Sequence, residues 1–331
     1  MNPPLCAWLV RLGMQPATAQ LLSGFVTVLA VLTLAGWLAA KRANPEGRVA
    51  KALLRLNKRL RGMWSIVVVF SIAMLTGGLG SILVFAGCSF LLLREFVTIT
   101  PTRRADQRAL FWAFFVILPL QYIILGYDWY GLFAIFIPVY AFLFIPIRIA
   151  TQTDPEKFLE RTAKIQWGLM MCVYCVSYAP ALIKLTIPGQ HGAGARLLLF
   201  LCIVVEANSA AHEVGDALFG CRYLAPKTRD ARTVEGLLAG AVASAGLGAI
   251  MASVTPMTIF QAIFIAILAS LLGSSGQLCL AMIRADRGKE GVVVVHREQE
   301  MLDRTISLCF AAPIFFHLIR FTFADGKLAM F

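Results

Sequence analysis

Residues 257–324 read MTIFQAIFIAILASLLGSSGQLCLAMI, then RADRGKEGVVVVHREQEMLDR, then TISLCFAAPIFFHLIRFTFA. Two apolar stretches flank a polar island, Arg284 to Arg304, which holds five basic and five acidic side chains. At 1.5 Å per residue each flank is long enough to cross a hydrocarbon core of ~30 Å as a helix. The chain therefore folds back across a membrane here. A loop needed only to orient the protein would be basic, so the balanced charge of the island marks it as a candidate site.

The rest of the chain follows the same design. Of its 331 residues 59% are hydrophobic and 15% charged, with a mean hydropathy of +0.76, whereas a soluble domain carries about a quarter charged residues. Spans are predicted near 19–40, 63–79, 80–97, 109–125, 130–147, 166–187, 197–215, 237–253, 257–283 and 305–324. The fold class expected is all-α, a polytopic bundle of about ten transmembrane helices in one membrane domain, 1–331, with both termini outside. The inner segments 41–61, 94–108, 148–164, 216–235 and 284–304 then hold 25 of the 30 lysines and arginines, as the positive-inside rule demands. The net charge of +12 is thus a matter of topology and gives no ground for a nucleic-acid partner.

Three local readings follow. The stretch 63–97 must make two short spans turning at Gly77-Gly78-Leu79-Gly80. The first span is too long for a cleavable signal core and is expected to be retained. Cys172-Val173-Tyr174-Cys175 lies within a span without a second pair, so it reads as packing and not as a metal or redox motif.

Segment 41–61 carries eight basic side chains and one acid, Glu46, with Val49, Leu53, Leu56 and Leu60 at roughly helical spacing. With Leu54 among its apolar residues as well, it reads as an interfacial amphipathic segment, with anionic membrane lipids as partners at ~1 kcal/mol per cation near the surface. The seventh span holds Glu206, His212 and Glu213, with Asp216 at its inner end. At 100° per residue Glu206 and Glu213 lie within about 20° of each other. Ionisable groups inside a membrane are costly, so this acidic stripe is a functional candidate facing the bundle interior.

Gly276-Gln277-Leu278, Arg284-Ala285-Asp286-Arg287-Gly288-Lys289-Glu290, Met301-Leu302-Asp303-Arg304 and Ala311-Ala312-Pro313 resemble the C-terminal signature of the phosphatidate cytidylyltransferases, or CDP-diacylglycerol synthases. That signature runs roughly G-D-L-x-x-S-x-x-K-R-D, K-D, H-G-G-x-x-D-R. A second block, Asn208 to Gly236, is similar to another family motif and keeps Asn208, Gly220, Ala225-Pro226-Lys227, Thr233 and Glu235-Gly236. It differs at Ser209, where the family has Asp, at His212-Glu213 for Gln-Tyr, at Asp216 for Gly, at Arg229-Asp230 for Ser-Pro and at Arg232 for Lys. In the island, His296-Arg297-Glu298-Gln299-Glu300 stands at the glycine-rich turn. Arg94-Glu95-Phe96 resembles the family's middle region.

The resemblance, with its family-like catalytic region at 197–325, implies transfer of CMP from CTP to phosphatidate, giving CDP-diacylglycerol and pyrophosphate. Two polyanions must then be neutralised by cations. On this reading Asp286, Lys289 and Glu290 are catalytic, and Mg²⁺ is held by Asp286 and Glu290 with Glu213 and Asp216 compensating for Ser209. Asn208, Lys227, Arg229, Arg232 and Arg284 bind phosphate or nucleotide. Glu206, Ser209, His212, Asp303 and Arg304 support the site, the last two as an ion pair capping the final span. The protein would be integral to the inner membrane with its site facing the cytoplasm, and a homo-oligomer stays open. Two alternatives also stay open: a degenerate paralogue that binds lipid or a partner enzyme without turnover, and an ion-coupled transporter built on the acidic stripe.

Overall fold

The computed structural model describes residues 4–42, 48–100, 103, 106–151, 155–225, 232–289 and 300–324. These form eleven helices: α1 (Pro4–Arg11), α2 (Pro16–Arg42), α3 (Arg48–Leu75), α4 (Gly77–Ile99), α5 (Gln107–Gly126), α6 (Tyr130–Ala150), α7 (Phe158–Lys184), α8 (Ala193–Phe219), α9 (Val234–Met251), α10 (Ile259–Lys289) and α11 (Glu300–Ile319). The architecture is all-α and polytopic. Among the described residues nine helical segments are long and apolar enough to cross a membrane; of the expected stretch 63–79, residues 63–75 fall in α3 and 77–79 open α4.

Helix α3 differs from expectation in its continuity. The sequence predicts a basic segment separate from the apolar span after it, but Arg48–Leu75 is one uninterrupted helix. Nothing in it breaks a helix: the stretch has no proline, and its only glycine is Gly62. The chain reverses at Thr76 and Gly77, where Gly77 takes a φ of +75°, a conformation open to glycine. The glycine-rich turn was thus legible, and α4 begins at its first glycine.

Helix α8 is the hub, packed by α9, α3, α10, α7, α11 and α2. It and α7 are the two most buried spans, each with 72% of its apolar window inside the protein. The partners approach closely because α9 presents small residues at four-residue spacing, Gly236, Gly240, Ser244 and Gly248, all buried. A Cβ at Gly240 would lie 2.1 Å from Asn208 Oδ1 and 2.9 Å from the Asn208 carbonyl oxygen. Only glycine fits there.

Ion pairs fix the end of the bundle that carries the basic segments. Arg161 Nη2 lies 2.8 Å from Asp106 Oδ1, and both side chains are buried. Nearby Arg103 grips exposed Glu156 with two bonds of 2.7 and 2.6 Å. The guanidinium holds that carboxyl below the ordinary carboxylate range.

Candidate functional site

The acidic stripe of α8 meets a cation. Arg59 of α3 places Nε 3.5 Å from Glu206 Oε2 and Nη1 3.5 Å from Glu213 Oε1. All three side chains are largely buried, so the pairing offsets a desolvation cost that none could bear alone. The sequence groups Arg59 with the lipid-facing cations of 41–61, yet it turns inward. The signal for this was available: two carboxylates seven residues apart on one apolar helix require a counter-charge, and α3 supplies it.

One helical turn further, His212 and Asp216 serve the connection to α9. His212 Nδ1 lies 3.1 Å from Asp216 Oδ2. Asp216 Oδ1 accepts from the Thr233 backbone N–H at 3.1 Å and from the Thr233 hydroxyl. Thr233 is in turn the N-cap of α9, accepting from Gly236 N at 3.1 Å. Asp216 therefore closes the segment 217–233 as a stem. Arg232 sits at that stem, its carbonyl accepting from Leu224 N at 2.7 Å. Lys227 and Arg229 lie outside the described residues.

Asn208 and Ser209 bind α8 to α10. Asn208 Nδ2 donates to the Ser270 carbonyl at 3.2 Å and to Ser274 Oγ at 3.0 Å, while Ser270 Oγ donates to Asn208 Oδ1 at 2.7 Å. Both ends of the amide are thereby used within the protein. Ser209 Oγ donates to the Val205 carbonyl at 3.0 Å and accepts from Gln277 Nε2 at 3.1 Å. Gln277 occupies the Asp position of the family's G-D-L, just as Ser209 occupies that of N-D. The two neutral replacements thus touch each other.

In the polar island, Asp303 is engaged by Arg284 Nη1 at 2.6 Å. Where the sequence pointed to Arg304 as the partner of Asp303, Arg284 of α10 fills that place. Arg304 lies against Gly62 and reaches Ser65 Oγ at 3.4 Å. Adjacent helical residues point about 100° apart, which sends Asp303 toward α10 and Arg304 toward α3. Glu95, at the far end of α4, accepts from the Leu302 backbone N–H at 3.1 Å. It satisfies one of the N–H groups that the first turn of α11 leaves unpaired. Asp286 is exposed on the last turns of α10. Glu290 and the side chain of Lys289 lie outside the described residues, as does the segment around His296.

The magnesium implied by the family resemblance can be tested against these donors. Glu213 is held by Arg59, Asp216 by His212 and Thr233, and Ser209 and Gln277 offer only neutral oxygen. Among the described residues no three His, Cys, Asp or Glu side chains converge to hold an ion. The described donor set does not fit the metal.

It does fit anions. Among the described residues Nη2 of Arg59 and both Nε and Nη2 of Arg284 are buried without a hydrogen-bond acceptor. Guanidinium forks of this kind match phosphate oxygens.

An all-helical membrane protein with buried arginine forks at one end is thus defined, and comparison with known sequences gives its class. The chain belongs to the cytidylyltransferase family, whose sequence pattern matches residues 57–322. It is also 32% identical over 268 residues to the uncharacterized protein YnbB of Escherichia coli (strain K12), covering 80% of this chain and 87% of that protein. CTP-utilising transfer is therefore the general activity its family supports.

Proposed function

We propose that the protein transfers CMP from CTP to phosphatidate. A phosphate oxygen of the lipid attacks the α-phosphorus, the bond from that phosphorus to the bridging oxygen breaks, and pyrophosphate leaves with the bonding electron pair. The observation that carries this reading is the set of buried, acceptor-free guanidinium donors of Arg59 and Arg284 in a family-matching region. Arg284 holds a phosphate of the nucleotide while Asp303 fixes its orientation. Lys289, Lys227, Arg229 and Arg232 add positive charge around the leaving pyrophosphate, and Asn208 keeps α8 and α10 in register beneath it.

The basic residues of α3 meet anionic lipid headgroups, and a site facing the cytoplasm from the inner membrane is supported by the gathering of 25 of the 30 lysines and arginines in the inner segments.

A second reading, a paralogue that binds without turnover, is favoured by the Ser209–Gln277 contact, because both positions lack the charge of the family's aspartates. One experiment separates the two. Purified protein in detergent is given CTP, Mg²⁺ and phosphatidate, and CDP-diacylglycerol and pyrophosphate are measured, with Glu290→Ala as control. Equal amounts of both products support transfer; lipid binding with no product sinks it and leaves the binding reading.

A further inference from the structure

A cavity of about 370 Å³ lies within the bundle between α3, α4, α7, α8 and α11. Helix α11 lines it with Arg304, Thr305, Leu308, Cys309 and Ala312, a single stripe at three- and four-residue spacing. From Arg304 to Ala312 that stripe covers about 12 Å of helix. Its two ends differ in chemistry. At one, Arg304 and Ser65 face each other across a 3.4 Å contact; at the other, Phe70 and Phe85 close an apolar floor. Between them the wall is apolar side chains and the thiols of Cys88, Cys175, Cys202 and Cys309.

We propose that this cavity is a slot for one acyl chain of a phosphate-bearing lipid, with the phosphate at Arg304 and the chain running toward Phe70 and Phe85. A long apolar body lined at one end by Arg304 is complementary to an amphiphile with an anionic head. Neither free phosphate nor a nucleotide would use the apolar length, and an uncharged lipid would not use the arginine.

The catalytic meaning of the slot rests on the transfer reading above, since it would hold the acceptor lipid. Binding itself does not. It also gives the thiols a physical role: polarizable, weakly polar groups suit a wall that must accept a mobile hydrocarbon chain.

The test uses the full chain in phosphatidylcholine vesicles with phosphatidate bearing a photoactivatable diazirine near the end of one chain, the crosslinked peptides being mapped by mass spectrometry. Crosslinks are expected on the slot walls, around Cys309, Cys88 and Cys175. Diacylglycerol with the same chain, and phosphatidate with Arg304→Gln, should each give about tenfold less, the loss of one hydrogen bond to a charged group. Inorganic phosphate should not compete. Crosslinks confined to outward-facing residues such as Leu238 and Val242 of α9, or equal yields from diacylglycerol and phosphatidate, overturn the proposal. Ser65→Trp, which narrows the mouth from another helix, provides a second variant should Arg304→Gln fail to fold; it too should lower the yield, and an unchanged yield counts against the slot. Turnover is followed in parallel. Crosslinking without product overturns the transfer reading and leaves the slot, whereas product without crosslinking in the slot does the reverse.

Discussion

Gln277 Nε2 donates to Ser209 Oγ at 3.1 Å across the interface of α10 and α8. Both stand where the family pattern has aspartate, and both are buried. Their contact shows that the two substitutions are complementary: an amide donor meets a hydroxyl, and neither leaves a charge in the protein interior.

Ser209→Asp should therefore be harmful by itself. It inserts a carboxylate among buried neutral groups, a change comparable to breaking a buried ion pair, so unfolding in detergent is expected about 3 kcal/mol or more easier. The double variant Ser209→Asp with Gln277→Asp restores the family's pair. It should gain a thermal stabilisation by Mg²⁺ that exceeds any in the parent chain, read by a melting curve with and without the ion.

Arg59 should matter for stability through Glu206 and Glu213. Arg59→Gln leaves two largely buried carboxylates without their cation, at a cost of about 3–5 kcal/mol. Adding Glu206→Gln and Glu213→Gln to that variant should recover most of the loss. If the single variant melts with the parent protein, Arg59 is not paired as described.

Gly240→Leu tests the close packing of α9 on α8. The new Cβ would overlap Asn208 Oδ1, and the rest of the side chain would force the helices apart, costing at least the 1–3 kcal/mol of ordinary overpacking. Little monodisperse protein is expected by size-exclusion chromatography. Val242→Leu, two residues on and exposed, should behave as the parent.

Thr233→Val removes the N-cap of α9 and one partner of Asp216. A lost cap costs ~1 kcal/mol. Faster amide exchange should be seen in the first turn of α9 and at Gly220, with the centre of α8 unaffected.

Arg284→Gln is directed at the nucleotide. Loss of one charged hydrogen bond should weaken CTP binding about tenfold, measured as the shift in the concentration that protects against thermal unfolding. The companion Asp303→Asn keeps the guanidinium and should weaken CTP binding less.

The membrane fold was legible because apolar length is a one-dimensional property: the helices can be counted from the sequence without knowing what they touch. The site was legible only in outline. Asn208, Ser209 and the 284–304 island were found through their pattern, but their partners lie far away in the chain. Arg59 was hidden among seven other cations, and only burial distinguishes a cation that faces lipid from one that faces Glu206. Glu95 was noticed for its neighbours and not for its reach to Leu302, which depends on where α4 ends relative to the start of α11. Carboxylates on one helical face suggest a metal ligand at Asp216, and the sequence does not show that His212 and Thr233 engage its oxygens before α9.

The unbroken course of α3 has a mechanical implication. One rod carries the basic residues near its start, Arg59 at the acidic stripe and Ser65 at the mouth of the cavity. These positions cannot be repositioned independently, since a tilt or rotation of the rod displaces them together. Any displacement of α3 would therefore shift the counter-charge of the acidic stripe and one wall of the cavity in the same stroke.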